Sequence, residues 1–301
     1  MNASSFDVVI IGGGPAGLSA ALMLGRCRRR VVVCDEGRPR NAMSHAVHGF
    51  FTREGENPRD LLRIGRTQLS QYGVELISAR AIDARTDDES FVVELSSGRQ
   101  LVGRRLLLAT GMVDELPKVA GVASLFGTSV FQCPYCDGWE FRDQPLAVYA
   151  PRADAVAFAV AVKTWSSDLV LCTDGARVLS EHEQRQLDRL GIPVRSQPIA
   201  LLEGADGRLE RIVFEDGSHL ARRAMFFSTP CVTRSELAVR LGCELVDKGM
   251  VKADSRGLTT VPGLYVAGDA SEDLNLVSIA VAEGTKAAVT IHKDLRRQEL
   301  G

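Results

Sequence analysis

Gly12-Gly-Gly-Pro-Ala-Gly17 constrains this chain more than any other stretch. It follows Phe6-Asp-Val-Val-Ile-Ile11, whose β-branched run reads as a buried strand, and precedes an apolar, alanine-rich stretch from Leu18 to Leu24 that reads as a helix. A second buried strand, Val31-Val-Val-Cys34, ends at Asp35-Glu36. Together these form one βαβ unit of about 30 residues. In such a unit Gly12 permits the tight turn, Gly14 lets the backbone approach a pyrophosphate, and Gly17 lets helix and strand pack closely. The helix N-terminus offers free N–H groups and a partial positive charge to the phosphates. Asp35 or Glu36 can accept from a ribose hydroxyl, and Asp35, directly after the strand, is the preferred candidate.

Composition narrows the partners. At roughly 100–200 residues per domain, 301 residues predict two domains. A formal net charge of −2 gives no electrostatic case for nucleic acid or an anionic membrane. No apolar run approaches the ~20 residues needed to span a bilayer. Met1-Asn-Ala-Ser-Ser-Phe-Asp7 lacks a charged region followed by an apolar one, so secretion is not signalled. The seven cysteines are an odd number in a chain too long to need disulfide staples, so a paired set calls for a chemical reading first.

The middle of the chain repeats. Gly98, Leu101, Arg104 and Thr110 map onto Gly217, Leu220, Arg223 and Thr229 at a constant offset of 119. Each set runs from a hairpin into an apolar strand, and each hairpin follows a βαβ-like unit. The second such unit is Pro145–Tyr149, a helical stretch from Asp154 to Lys163, and Asp168–Cys172. The bland alternative is that polar hairpins share turn chemistry. The expected fold class is α/β, with two Rossmann-like nucleotide-binding domains of the three-layer ββα type. The last 40 residues add the strand Gly263–Ala267, then Gly268-Asp269 and a helix from Val277 to Leu295.

Leu108-Ala-Thr-Gly111 and Gly268-Asp269 each follow an apolar strand. Both read as strand ends packed on a flavin dinucleotide, which with the glycine loop favours FAD over NAD in the first domain. Cys133-Pro-Tyr-Cys136-Asp-Gly138 is the sharpest motif. Two cysteines at this spacing can close a small disulfide whose thiolate is stabilised by a local positive field. Zinc would need two more ligands; there is no second CxxC, although His45-x-x-His48 could contribute. An inert pair is the third alternative. Asp137 is a candidate acid/base. Cys27, Cys34, Cys172, Cys231 and Cys243 read as small buried hydrophobes, and Arg26-Cys-Arg-Arg-Arg30 as a solvated helix end.

Taken in this order, Gly12–Gly17, Ala109-Thr-Gly111, Cys133–Gly138 and Val266-Ala-Gly-Asp269 resemble the low-molecular-weight thioredoxin reductase family of flavoproteins nearly end to end. The resemblance implies an FAD domain split over 1–116 and 247–301, with an NADPH-type domain, 117–246, inserted into it and carrying the cysteines. It implies that Cys136 is the thiol next to the flavin, that Cys133 exchanges with substrate, and that Asp137 is the acid/base. It extends the FAD contacts to Pro15, Ala16, Arg40, Asn41, His48 and Ala81, beside Gly12, Gly14, Gly17, Asp35, Thr110, Gly111, Gly268 and Asp269. A cytoplasmic homodimer is also implied.

The departures from the family pattern carry as much information. The second glycine loop, GxGxxA in the family, falls on Ala150-Pro-Arg-Ala-Asp-Ala155. Both glycines are gone, Pro151 removes an N–H, and Arg152 puts bulk where a pyrophosphate must approach. The basic His-Arg-Arg signature for the 2′-phosphate of NADPH falls on Thr173-Asp174-Gly175, which would repel that phosphate. The family's Gly-Gly-Gln and Glu-Asn segments correspond to Pro39-Arg-Asn41 and His48-Gly49. His48 then stands near the flavin or the disulfide and can take a thiol proton, or is a structural histidine. Leu276 and Val277 replace a flavin-contacting Gln.

These departures resemble the FAD-dependent dithiol oxidases and the reductase-like proteins without an assigned donor. The leading expectation is a dithiol/disulfide oxidoreductase with a redox-active CxxC centre. It would act on a small-molecule dithiol or a small protein disulfide and pass electrons to molecular oxygen or another partner that is not NADPH. An NADPH-dependent thioredoxin-disulfide reductase and an FAD-holding redox sensor are the alternatives. No metal is expected.

Overall fold

Runs of fully buried apolar residues build two parallel sheets, because a strand covered by helices on one face and a further layer on the other has no solvent side. The computed structural model describes residues 4–175, 178–246, 249–271 and 274–301. It divides into two compact units. One comprises Met1–Ala42, Phe50–Val113 and Cys231–Gly301, the other Met43–Gly49 and Asp114–Pro230.

In the first unit the strands Glu75–Ser78, Val31–Asp35, Ser4–Ile11 and Gln100–Leu108 lie side by side in that order, all parallel. Val8, Val9 and Ile10 are completely buried, as the unbroken apolar run requires. The strand Gln100–Leu108 serves two partners on its far side. Its first residues pair antiparallel with Ser90–Leu95, which pairs in turn with Ala81–Asp87. Its last residues pair in parallel with Leu264–Val266, Leu108 opposite Val266. The strand ends leading to Thr110 and to Gly268 are therefore neighbours. The helix Val277–Leu300 packs on the helix Pro15–Arg26 at Gly284, where a Cβ would lie 2.1 Å from the Ala16 carbonyl oxygen. Buried Arg105 donates from Nε to Asp294 at 2.6 Å, and Asp294 also accepts from the Tyr265 hydroxyl at 2.9 Å. The paired carboxylate is what makes burial of the guanidinium tolerable.

The second unit holds five parallel strands in the order Val194–Arg195, Leu169–Cys172, Leu146–Tyr149, Ala224–Phe227, Val130–Phe131. A three-stranded antiparallel sheet joins Ile199–Ala205, Arg208–Phe214 and His219–Ala221. The 119-residue offset holds in backbone conformation: Gly98 and Gly217 both turn at φ +80°. It also has a break. The first copy runs unbroken from Gln100 to Leu108, whereas the second is interrupted at Arg222-Arg223, leaving His219–Ala221 in the antiparallel sheet and Ala224–Phe227 in the parallel one.

The boundaries differ from those expected at 117 and 246. Leu237, Ala238, Leu241 and Cys243 are buried in the first unit's core, so the chain has re-entered that unit by Cys231, well before 247. Conversely, Met43–Gly49 belongs with the second unit. Gly127, at φ +79°, leaves room there for the Met43 carbonyl, which would be 2.7 Å from a Cβ. No helix among the described residues is long and apolar enough to cross a membrane.

Candidate active site

The glycine loop of the first unit is built by exclusion. A Cβ on Gly12 would lie 2.2 Å from the Ala109 carbonyl oxygen, and one on Gly17 would lie 1.9 Å from the Gly12 carbonyl oxygen. Both positions are closed to any side chain. Gly14 faces nothing within 4 Å. It is the N-cap of the helix Pro15–Arg26, which has no side-chain cap and no acid in its first turn, so the N–H groups that open the helix have no capping side chain. Pro15 and Ala16 open this helix, and Ala16 touches the Gly268 turn, where a Cβ would be 3.0 Å away.

Asp35 ends its strand beside Gly13 and accepts from Arg66 Nη2 at 2.8 Å. Thr110 and Gly111 follow Leu108, with Gly111 at φ +67°. Arg40 Nη1 donates to Asp269 Oδ2 at 2.8 Å and to Asn275 Oδ1 at 2.6 Å, joining two sequence-predicted residues that are far apart in the chain. Asn41 lies in the turn closed by the Ala42 N–H and the Pro39 carbonyl. Ala81 opens the strand Ala81–Asp87 at its edge, opposite Leu95. The loop, Asp35 and the two strand ends converge on the open N-terminus. The helix Val277–Leu300 also starts without a side-chain cap or an acid in its first turn. An uncapped helix N-terminus with an open glycine and a carboxylate at the neighbouring strand end suits the pyrophosphate and ribose of a dinucleotide such as FAD.

The cysteine turn belongs to the second unit. Cys133 and Cys136 are joined in a disulfide. Cys133 is the N-cap of the short helix Pro134–Asp137, and its Sγ accepts from the Cys136 N–H at 3.2 Å. That N–H favours thiolate character at Cys133. Asp137 has its carboxyl pushed up to about 7, first by desolvation and then by the nearby Glu140 charge, while His48 opposes the shift. His48 Nε2 is 3.5 Å from Glu140 Oε1. The segment Met43–Gly49 therefore delivers His48 to the cysteine turn, with Cys133, Cys136 and Asp137. His45 is exposed. Among the described residues no group of three or more His, Cys, Asp or Glu side chains could hold a metal ion. Burial pushes the Cys34 and Cys172 thiols up to about 12 and raises that of Cys243, which leaves them inert. Cys27 and Cys231 are partly exposed.

The second loop carries carboxylates where the first has open backbone. Asp154, at the N-cap of the helix Ala155–Val162, accepts from Ser228 Oγ at 2.6 Å. Asp174 accepts from the Tyr149 hydroxyl at 2.8 Å and from the Ile199 N–H at 2.7 Å. Burial and the Asp174 charge both raise the Tyr149 phenol's pKa.

Sequence reasoning missed Arg66, Glu140, Glu283 and Asn275. Glu283 accepts from the Gly268 N–H at 2.9 Å. Only Glu140 had a local signal, as an acid three residues beyond Asp137.

The sequence profile of the pyridine nucleotide-disulphide oxidoreductase family matches residues 6–284. The crystal structure of HlmI superimposes with a TM-score of 0.94 at 38% identity, covering 98% of this chain and 94% of that one. An oxidoreductase from Agrobacterium tumefaciens superimposes with a TM-score of 0.91 at 31% identity, covering 97% and 98%. The thioredoxin reductase tcpT of Claviceps purpurea is 32% identical over 295 residues, 92% of this chain and 90% of that protein.

Proposed function

From the premise that this chain belongs to the pyridine nucleotide-disulphide oxidoreductase family and is a thioredoxin reductase-like oxidoreductase, we propose that it is an FAD-dependent dithiol oxidase with no working NADPH site. The observation that carries the proposal is Asp174. A carboxylate held by Tyr149 and Ile199 stands where the family resemblance expects cations for a phosphate. A second carboxylate, Asp154, sits at the helix N-cap, where the dipole would otherwise attract that anion.

The residues that would hold FAD are the backbone of Gly12, Gly14, Pro15, Ala16 and Gly17, with Asp35, Arg40, Asn41, Ala81, Thr110, Gly111, Gly268 and Asp269. Bound FAD would supply the two-electron acceptor that returns the cysteine pair to its disulfide, with molecular oxygen as the terminal acceptor. The exchange itself belongs to the chain. A substrate thiolate attacks Cys133 Sγ, the Cys133–Cys136 bond breaks, and the electron pair leaves on Cys136. The second substrate thiol then attacks the substrate sulfur of the mixed disulfide and releases Cys133, whose thiolate is stabilised by the Cys136 N–H. His48 accepts the proton of the incoming thiol. Asp137, neutral below about pH 7, gives a proton to the leaving thiolate. In this reading the protein is a cytoplasmic homodimer.

An anaerobic absorbance trace tests the proposal. Dithiothreitol should bleach the flavin within seconds, and micromolar NADPH should leave it yellow. Bleaching by NADPH would instead favour an NADPH-dependent disulfide reductase, the reading that the name of the Claviceps relative supports.

A further inference from the structure

Glu140 is an acid on the redox turn to which the CxxC motif assigns no task. It lies on the single turn Trp139–Phe141, and its carboxylate approaches His48 Nε2 to 3.5 Å. Both side chains are partly withdrawn from water, with 34% and 20% exposure. The nearest candidate competitor on the same turn, Arg142, is otherwise engaged. Its guanidinium stacks on the Trp139 ring at 4.2 Å and donates to the Trp139 carbonyl. Asp137 feels both partners, Glu140 as a like charge and His48 as an opposite one. One imidazole and two carboxylates thus share the base of the disulfide turn.

We propose that Glu140 is a positioning residue that sets His48 for its proton transfer. A carboxylate beside Nε2 favours the tautomer with the proton on Nε2, so that Nδ1 is the accepting nitrogen. It also stabilises the imidazolium that forms when a substrate thiol gives up its proton. The step balances without any outside oxidant: the thiol becomes thiolate, His48 becomes cationic beside an anion, and the thiolate attacks Cys133 Sγ. Its division of labour is simple. Glu140 acts through His48, whereas Asp137 serves the enzyme's own sulfurs. The proposal rests on the reading of His48 as proton acceptor.

A double-mutant cycle on the FAD-loaded protein tests it. Dithiothreitol is the probe, and the freed Cys133 and Cys136 thiols are trapped by alkylation at millisecond times and counted by mass spectrometry. Glu140→Gln should slow reduction about 3- to 5-fold, the range of a partly exposed ion pair. Glu140→Asp should recover most of that loss. His48→Asn should slow it about 10-fold or more, as loss of a general base does. The double variant should be no slower than His48→Asn alone, because the carboxylate has nothing left to position. An unchanged rate in Glu140→Gln, or a double variant slowed by the product of the single effects, would overturn the role of Glu140 and leave that of His48 standing. An unchanged rate in His48→Asn would remove both.

Discussion

The loops at 12–17 and 150–155 occupy the same place in two βαβ units, yet they are held in opposite ways. The first is shaped by what is missing. Glycine at 12 and 17 lets two backbones touch, and glycine at 14 leaves the helix end open. The second is shaped by what has been added, carboxylates at 154 and 174 that bond to their own unit. Phosphate recognition depends on backbone donors left without partners. In the second loop carboxylates stand at and near the helix start, and their charge opposes a phosphate even though strand and helix remain.

The largest expected effect attacks the first loop. Gly17→Ala places a Cβ against a carbonyl that cannot retreat, at a cost of about 3 kcal/mol or more. The flavin-to-protein absorbance ratio of the purified variant should fall to near zero. The same measurement on Ala155→Gly, in the second loop, should show no change. Next in size, Arg152→Gly combined with Asp174→Arg should fail to create NADPH affinity. It should also lower the thermal midpoint by several degrees, because the buried Ile199 N–H and the Tyr149 hydroxyl each lose an acceptor at about 1–3 kcal/mol. A gain of micromolar affinity in titration calorimetry would show that the second loop lost only its charge pattern.

Asp137 gives an intermediate effect. Its folded pKa of about 7 lies above the 3.8 of a free aspartate, so between those values the folded protein keeps a proton that the unfolded chain releases. Stability from this group is full at low pH and is lost as pH rises through 7. Asp137→Asn should therefore flatten the pH dependence of denaturant unfolding and gain on the order of 2 kcal/mol at pH 8, while slowing disulfide exchange. The smallest effect is that of Arg66→Gln, which frees Asp35 from a half-exposed pair worth less than about 1 kcal/mol. FAD affinity should change only a few-fold in a fluorescence titration.

Much of this was legible from residues alone, for a physical reason. Val8 to Ile10, Val31 to Val33 and Leu106 to Leu108 form buried runs whose periodicity needs no tertiary knowledge. Gly12, Gly14 and Gly17 have three separate steric tasks written in their spacing. The CxxC pair is local as well. What was not legible depends on distant chain. The partnership of Asp35 with Arg66 and that of Arg40 with Asp269 cross long loops. The return of the chain to the first unit at Cys231 is decided by where Leu237 and Leu241 find an apolar surface. His48 was singled out by chemistry, but its place beside Glu140 follows from a seven-residue excursion that no local pattern marks.

That excursion bears on how such proteins can be taken apart and recombined. A recombinant fragment cut at Asp114 and Pro230 would look like a clean module, since both ends fall at crossings between units. It would nevertheless arrive without Met43–Gly49, and with it would go the carbonyl that Gly127 makes room for, the buried Val47 and the histidine that approaches Glu140. Heredity faces the same constraint as the bench. Shuffling the inserted unit between relatives would exchange the disulfide but leave His48 encoded in the host, so chimaeras should work only when the short segment travels with the insert.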